Sequence, residues 1–289
     1  MRLDRAVTLL AFRTLGSLAP GRTAARLPVL MYHSVSATSE QATPYYQTST
    51  HPVVFAEQMR VLESAGYTGV TLSQGLQAIR RPNLQLSDRQ PVALTFDDGY
   101  RDFLTAAVPV LERHGFKATM YLPTGFIDHE RRQFQGRECL TWGEVSALHD
   151  AGFEFGSHTV THPLLVEQTW DEIRTELVLS KRTIEQQLNI DVTAFAYPYA
   201  FPQQKRAFAE RFLGLLRAAG YRSGVTTIIG SVSVLDDALC LKRLPVNSCD
   251  DSALLRAKLR GFYDWMAGPQ SAVKQLKRLK SGLRQQESG

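Results

Sequence analysis

Two adjacent carboxylates and a pair of histidines four positions apart are the residues in this sequence whose types and spacing suit chemistry. Asp97 and Asp98 stand in Thr95-Phe96-Asp97-Asp98-Gly99-Tyr100, directly after the apolar run Pro91-Val92-Ala93-Leu94. His158 and His162 stand in Ser157-His158-Thr159-Val160-Thr161-His162-Pro163, after a second strand-like run, Phe153-Glu154-Phe155-Gly156. A histidine pair at this spacing reads as one turn of helix with both rings on one face, within reach of a single ion. One carboxylate and two imidazoles make a three-ligand site with an open position for water, the composition of a catalytic zinc-type centre. The second carboxylate is left beside the ion, where a general base is wanted. Asp-Asp-Gly is common in ordinary turns and H-x-x-x-H is common on surface helices, so neither stretch decides alone. Together, each at the end of a strand, they mark a site.

Those strands belong to a repeating pattern. Val29-Leu30-Met31-Tyr32-His33 reads as a first strand, residues 34–51 as a long polar surface loop, and the stretch from Val53 to Ala65 as a helix. Glu63-Ser64-Ala65-Gly66-Tyr67, Glu112-Arg113-His114-Gly115-Phe116, His149-Asp150-Ala151-Gly152-Phe153 and Arg217-Ala218-Ala219-Gly220-Tyr221 share one form. Each closes an amphipathic helix with a glycine and starts a strand with an aromatic. Repeated αβ units mean a mainly parallel sheet covered by helices. The fold class expected is therefore α/β, a distorted (β/α) barrel of about seven parallel strands. No glycine-rich nucleotide loop follows the first strand, which argues against an open doubly wound sheet. Barrel enzymes carry their chemistry at the C-terminal ends of the strands. Asp97, Asp98, His158 and His162 fall on that rim, as do His33 and the Tyr197-Pro198-Tyr199 that ends Val192-Thr193-Ala194-Phe195. A helix from Trp170 to about Asn189 places Ile173, Leu177, Ile184 and Leu188 along one side as a core stripe.

At 289 residues, 44% hydrophobic and 21% charged, the chain is a soluble globular protein with room for one large barrel. A net charge of +5 is a mild excess that reads as solubility, and no nucleic-acid partner is expected. Cys139, Cys240 and Cys249 form no C-x-x-C spacing, so neither a disulfide framework nor a cysteine metal site is expected. The apolar stretch Ala6 to Phe12 reads as part of a short amphipathic helix and not as an export signal, and a cytoplasmic location follows. Three parts are expected: an amphipathic segment over 1–26, the barrel over 27–260, and a basic amphipathic tail over 261–289. In that tail Lys274, Lys277, Arg278, Lys280 and Arg284 alternate with Val273, Leu276, Leu279 and Leu283. Such a pattern suits peripheral contact with an anionic membrane, docking on a partner, or a solvated terminal helix.

With these residues placed, the chain resembles the polysaccharide deacetylases of the NodB-homology type, carbohydrate esterase family 4, from Leu27 to Val246. Thr95-Phe96-Asp97-Asp98-Gly99 is similar to the family's first motif, which implies Asp97 as catalytic base and Asp98 as metal ligand. Ser157-His158-Thr159-Val160-Thr161-His162 is similar to the second, which implies His158 and His162 as the other ligands. Leu30-Met31-Tyr32-His33-Ser34 looks like the first strand of relatives from bacterial exopolysaccharide loci. Two departures stand out. Ala196-Tyr197-Pro198-Tyr199-Ala200 keeps the third motif's Pro-aromatic core, but Ala196 replaces the arginine that holds the base in many members, and Ala200 replaces a glycine. No histidine follows His162 to act as a late general acid, and the strand Leu241-Lys242-Arg243-Leu244-Pro245-Val246 offers Arg243 instead.

The resemblance implies a metal-dependent hydrolase that removes N-acetyl groups from acetylated amino sugars in a polysaccharide, oligosaccharide or glycan precursor. The divalent ion expected is zinc, with cobalt, nickel, iron or manganese as alternatives; it would activate water and polarise the amide carbonyl. Asp97 would take the proton, and the Tyr199 backbone N–H would serve the oxyanion. His33 is expected to protonate the leaving amine, because it ends a strand on the same rim. Arg243 is expected to pair with Asp97 in place of the missing arginine. Tyr197, Pro198 and Tyr199 are expected to line the sugar site. A core role for His33, an edge-strand surface role for Arg243 and wall packing for the two tyrosines remain open. So do two other classes of function, a saccharide-binding relative without activity and a metal hydrolase of another amide or ester.

Overall fold

The computed structural model describes residues 3–15, 26–38, 47–81 and 88–272. Eight parallel strands build one sheet: β1 (Val29–Tyr32), β2 (Tyr67–Val70), β3 (Gln90–Phe96), β4 (Thr119–Leu122), β5 (Glu154–Ser157), β6 (Ala194–Ala196), β7 (Ser223–Ile229) and β8 (Leu241–Pro245). Seven of them pair in chain order from β1 and β3 through β8, and β8 pairs back onto β1, so the sheet closes into the expected barrel. The eighth, β2, lies against the first half of β3, from Gln90 to Ala93, while β4 takes over the same flank at Thr95. From Val92 to Phe96, β3 is buried on both faces, and this is why it reads as a continuous apolar run and not as an alternation.

The helices follow the strands: α1 (Leu3–Leu15), α2 (Pro52–Ser64), α3 (Leu72–Arg80), α4 (Val108–Arg113), α5 (Trp142–Asp150), α6 (Trp170–Leu188), α7 (Arg206–Ala218) and α8 (Ser252–Leu259). Gly66, Gly115, Gly152 and Gly220 all have positive φ, so the four helix–glycine–aromatic joins are real helix stops. Inside the ring, Val29, Ala93, Tyr121, Ala194, Ala196, Val225 and Leu241 cluster with Leu72, Leu76 and Ile79 of α3. The Leu72 N–H donates to Thr119 and the Ser73 N–H to Glu154, at the first residues of β4 and β5. Helix α3 therefore crosses the N-terminal mouth of the barrel and plugs it. Gly156 on β5 has no alternative: a Cβ there would stand 2.7 Å from the Tyr121 ring and 2.8 Å from the Ala194 carbonyl.

One expectation needs amending. The stretch 34–51 is not all open loop, because Ser34–Val35 pairs in parallel with Ser49–Thr50 and both are buried. Its anchor is Asp102, which accepts from the Val35 N–H and the Ser34 hydroxyl. Most of the basic tail, residues 273–289, lies outside the described residues, as do 1–2, 16–25, 39–46 and 82–87. Among the described residues no helix is long and apolar enough to cross a membrane.

Candidate active site

Strand β3 delivers its two carboxylates by breaking its own conformation. Asp97 still follows the strand, its N–H donating to the Tyr32 carbonyl, but Asp98 turns left-handed at φ 76° and Gly99 follows at 63°. Aspartate tolerates that region better than most residues, and a Cβ on Gly99 would press on Ile127 and Leu122 at 3.0 and 3.1 Å. The pair of reversals aims both carboxylates into the C-terminal mouth.

His158 continues β5, its N–H donating to the Leu122 carbonyl, but the histidine pair is not on a helix. Residues 158–162 form a loop in which Thr159 (φ 68°) and His162 (φ 55°) are left-handed, and the fold-back brings both rings to one side. The spacing of four fits a helical turn and this loop equally well. The clamp comes from α6: Glu176 accepts from the Val160 and Thr161 N–H groups at 2.7 and 3.0 Å and from the Thr161 hydroxyl at 2.8 Å. One turn on, Ser180 bonds the Ser157 hydroxyl at 2.7 Å. Glu176 carries no sequence signal, since a glutamate between Ile173 and Leu177 looks like any boundary position of an amphipathic helix.

The two rings meet Asp98. Nε2 of His158 and Nε2 of His162 each lie 3.5 Å from Asp98 Oδ1, which is buried and accepts no hydrogen bond. Ligands bound tetrahedrally at about 2.1 Å stand about 3.4 Å apart, so these separations and the orphaned oxygen suit a shared divalent cation. His158 Nδ1 donates to the Ala196 carbonyl at 2.8 Å, which leaves Nε2 as the lone-pair nitrogen. The position that lacks the expected arginine thus orients a candidate ligand through its backbone. His162 has no partner at Nδ1; its ring is held by Phe134 and Tyr199, at 5.1 and 4.6 Å between centroids. Burial and the neighbouring His158 push the His162 imidazole down to about 4, so it is neutral and ready to ligate. Burial also lowers His158, but Asp98 and Asp97 outweigh it and leave that imidazole raised, a balance a bound cation would reverse.

Asp97 is held by Arg243, on β8. The guanidinium donates from Nη1 and Nη2 to the two carboxylate oxygens, each at 2.7 Å, and from Nε to the Thr226 carbonyl at 3.0 Å. Arg243 is 1% exposed, inside the ring and not on a sheet edge. Burial pushes the Asp97 carboxyl up, but Arg243, with His158 and His33, holds it well below the usual carboxylate range. His33 Nε2 lies 3.8 Å from Asp97 Oδ2, too far for a hydrogen bond, on a half-buried side chain at the mouth.

The third aromatic stretch divides. Tyr199 is left-handed at φ 54°, 50% exposed, and stands over His162. Tyr197 and Pro198 are buried, and Tyr197 packs edge-on against Phe201 and Phe212 at 5.0 and 5.1 Å. Neither has a face to offer a sugar, so the expectation that they line the substrate site is corrected. Four of the six non-glycine residues with positive φ among those described, Asp98, Thr159, His162 and Tyr199, belong to this one site. Each costs of order 1 kcal/mol or more and persists only because its neighbours impose it.

Residues 86–223 match the profile of the polysaccharide deacetylase family. Over that stretch the chain is similar to polysaccharide deacetylases. YxkH of Bacillus subtilis (strain 168), named a polysaccharide deacetylase, is 28% identical over 227 residues, 77% of this chain and 72% of that protein. A chitooligosaccharide deacetylase of Bradyrhizobium sp. (strain ANU 289) is 26% identical over 162 residues, 56% of this chain and 65% of that one. Among solved structures, the Streptococcus pyogenes deacetylase PplD in complex with acetate has a TM-score of 0.69 at 28% identity, over 82% of this chain and 99% of that one. The deacetylase profile spans both ligand motifs and leaves out β1 and β8, so His33 and Arg243 lie beyond it on either side.

Proposed function

We propose that this domain is a metal-dependent N-deacetylase of acetylated amino sugars, with Asp98, His158 and His162 as the ligands of a divalent ion, zinc first. The observation that carries the reading is the unpartnered Asp98 Oδ1, 3.5 Å from both histidine nitrogens and next to a carboxylate gripped by Arg243. When bound, the ion supplies Lewis-acid polarisation of the acyl carbonyl and activation of a water. The protein's own groups do the rest. Asp97 accepts the proton of the attacking water; each of its oxygens gives one lone pair to Arg243 and keeps another. The Tyr199 N–H, in the left-handed turn beside His162, donates to the developing oxyanion, and the exposed ring above His162 offers a stacking face to the sugar. His33 donates a proton to the amide nitrogen as the C–N bond breaks, giving acetate and the free amine. Asp97 then releases its proton to solvent and His33 takes one up, which resets both groups.

A binding-only relative would have no use for a base that costs a buried arginine to hold, and the Asp97–Arg243 pair speaks against that reading. Wild type and Asp97→Asn should be compared for metal content and for acetate released from N-acetylglucosamine oligomers. Metal in both proteins and acetate from wild type alone is the expected result. Absence of metal from wild type would overturn the reading. If His33→Ala turned over at the wild-type rate, the acid would have to be another group.

A further inference from the structure

Beside the candidate metal centre lies a cavity of about 310 Å³ that the proposed chemistry does not use. Three segments wall it, and each extends from a part of the site. The first holds Ser36 and Thr38, which follow His33 out of β1 and are anchored by Asp102 through the Ser34 hydroxyl and the Val35 N–H. The second leaves the Asp97-Asp98-Gly99 turn through Arg101 and Asp102 into a π-helical turn, Phe103–Ala107, with Thr105 exposed. Such turns are frequent at functional sites. The third is a hairpin, Gln133–Phe134 paired with Arg137–Glu138 across the left-handed Gln135 and Gly136. The hairpin serves both places. Phe134 packs on the His162 ring at 5.1 Å and stacks on Tyr100 at 6.1 Å, and the Arg137 guanidinium lies over the Tyr100 ring at 5.5 Å. A run of three contacts thus joins the cavity to a candidate metal ligand.

The lining determines what fits. No large apolar side chain lines the cavity; it offers three hydroxyls and the forked groups of two arginines and two acids. Those four charges cancel, Arg101 and Arg137 against Asp102 and Glu138. Arg101 donates from Nη1 to Glu138 at 3.2 Å and from Nε to Glu144 at 3.3 Å, and its Nη2 has no partner among the described residues. The two Asp102 oxygens accept one bond each, from Ser34 and Val35, and each keeps another lone pair. Fixed donors beside fixed acceptors, with no net charge, match a neutral ligand whose adjacent hydroxyls both give and accept hydrogen bonds. An anionic ligand would meet the two acids as closely as the two arginines, and like charges brought together cost affinity. The volume stands at the lower end of the roughly 300–1,000 Å³ of small-molecule sites, which suits a single sugar. We infer that this cavity is a subsite for an uncharged sugar of the same glycan chain, beside the residue that loses its acetyl group. It selects neutral glycans over those with acidic neighbouring sugars. The inference rests on the deacetylase reading for the identity of the chain.

The test reads binding by calorimetry in the Asp97→Asn background, where it does not depend on turnover. The probes are N-acetylglucosamine, its pentamer, and a peptidoglycan glycan fragment of equal length, whose alternate sugars carry a carboxylate. The pentamer should bind about tenfold tighter than the monosaccharide and than the acidic fragment. Thr105→Trp fills the cavity from an exposed position outside the candidate metal site. It should bring the pentamer down to the affinity of the monosaccharide, with metal content and melting temperature unchanged. Glu138→Gln, at a side chain 50% exposed, tips the charge towards the arginines and should narrow the preference for the neutral chain about threefold. Pentamer affinity that neither variant changes overturns the subsite, as does equal affinity for monosaccharide and pentamer. Tighter binding of the acidic fragment overturns its neutral character. A wild type that binds the pentamer through this cavity and releases no acetate overturns the deacetylase reading and leaves the subsite standing.

Discussion

Arg243 and Asp97 share two 2.7 Å hydrogen bonds across 146 residues of chain, joining the last strand of the barrel to the second strand of the ring. Replacing Arg243 leaves a charged carboxylate buried without its partner, which costs about 3–5 kcal/mol of stability. Arg243→Met should therefore lower the urea midpoint and abolish acetate release, while titration still finds one metal ion per chain. Arg243→Lys should fare little better, because an ammonium cannot meet both oxygens at once. Loss of metal along with activity would show that Arg243 supports the ligands and not the base.

Asp98 makes the opposite prediction. Its Oδ1 has no hydrogen-bond partner; burial pushes the carboxyl up, but the nearby imidazoles hold it below its usual range. Asp98→Asn should lower the metal-free melting temperature far less than Arg243→Met does. The rise in melting temperature that zinc gives the wild type should disappear from the variant. A chelator should lower the wild-type melting temperature towards the metal-free value and remove activity, with both restored by added metal.

Glu176 ties down three donors of the loop between the two histidines, and His162 Nδ1 has no hydrogen bond to compensate. Glu176→Ala should weaken metal affinity by about 10–100-fold, as removal of an outer support of a metal site does. Glu176→Gln keeps one carbonyl acceptor and should recover part of that loss. Calorimetric metal titration reads both variants without reference to turnover.

Glu144 sets a pH dependence of stability. Burial pushes its carboxyl up, but Arg131, the Thr141 N–H and Arg101 outweigh burial and bring it from an ordinary 4.5 down to about 2. A folded-state value below the unfolded one means stability that is present above the unfolded value and lost as pH falls through the folded one. Melting temperatures of wild type and Glu144→Gln should differ most at neutral pH and converge as pH drops from 4.5 to 2. A gap that stayed constant over that window would mean Glu144 acts through packing and not through its charge.

How much of this could be read before the structure depended on how local each signal was. Asp97, Asp98, His158 and His162 were legible because each pair follows an apolar run that can only be a buried strand, and the four glycine-aromatic joins announced the barrel. Arg243 was legible by a gap, since Ala196 stood where a guanidinium was needed and β8 had one to offer. The loop at His158–His162 was misread as a helix because a spacing of four does not distinguish a helical turn from a fold-back through two left-handed residues. Tyr197 is misread because the left-handed turn at Tyr199 sends two tyrosines two positions apart into different surroundings, one core and one mouth, and no residue type announces that turn. Glu176 was invisible, as its partners are backbone groups, which no residue type reveals.

The grip of Arg243 on Asp97 also orders events during synthesis. On the proposed reading, every candidate ligand is present once residue 162 has been made, while Asp97, the proposed base, has nothing yet to orient it. Arg243 arrives on the strand that closes the ring. A chain that stops short of it should therefore be inert towards amide, and competence for hydrolysis should coincide with completion of the barrel.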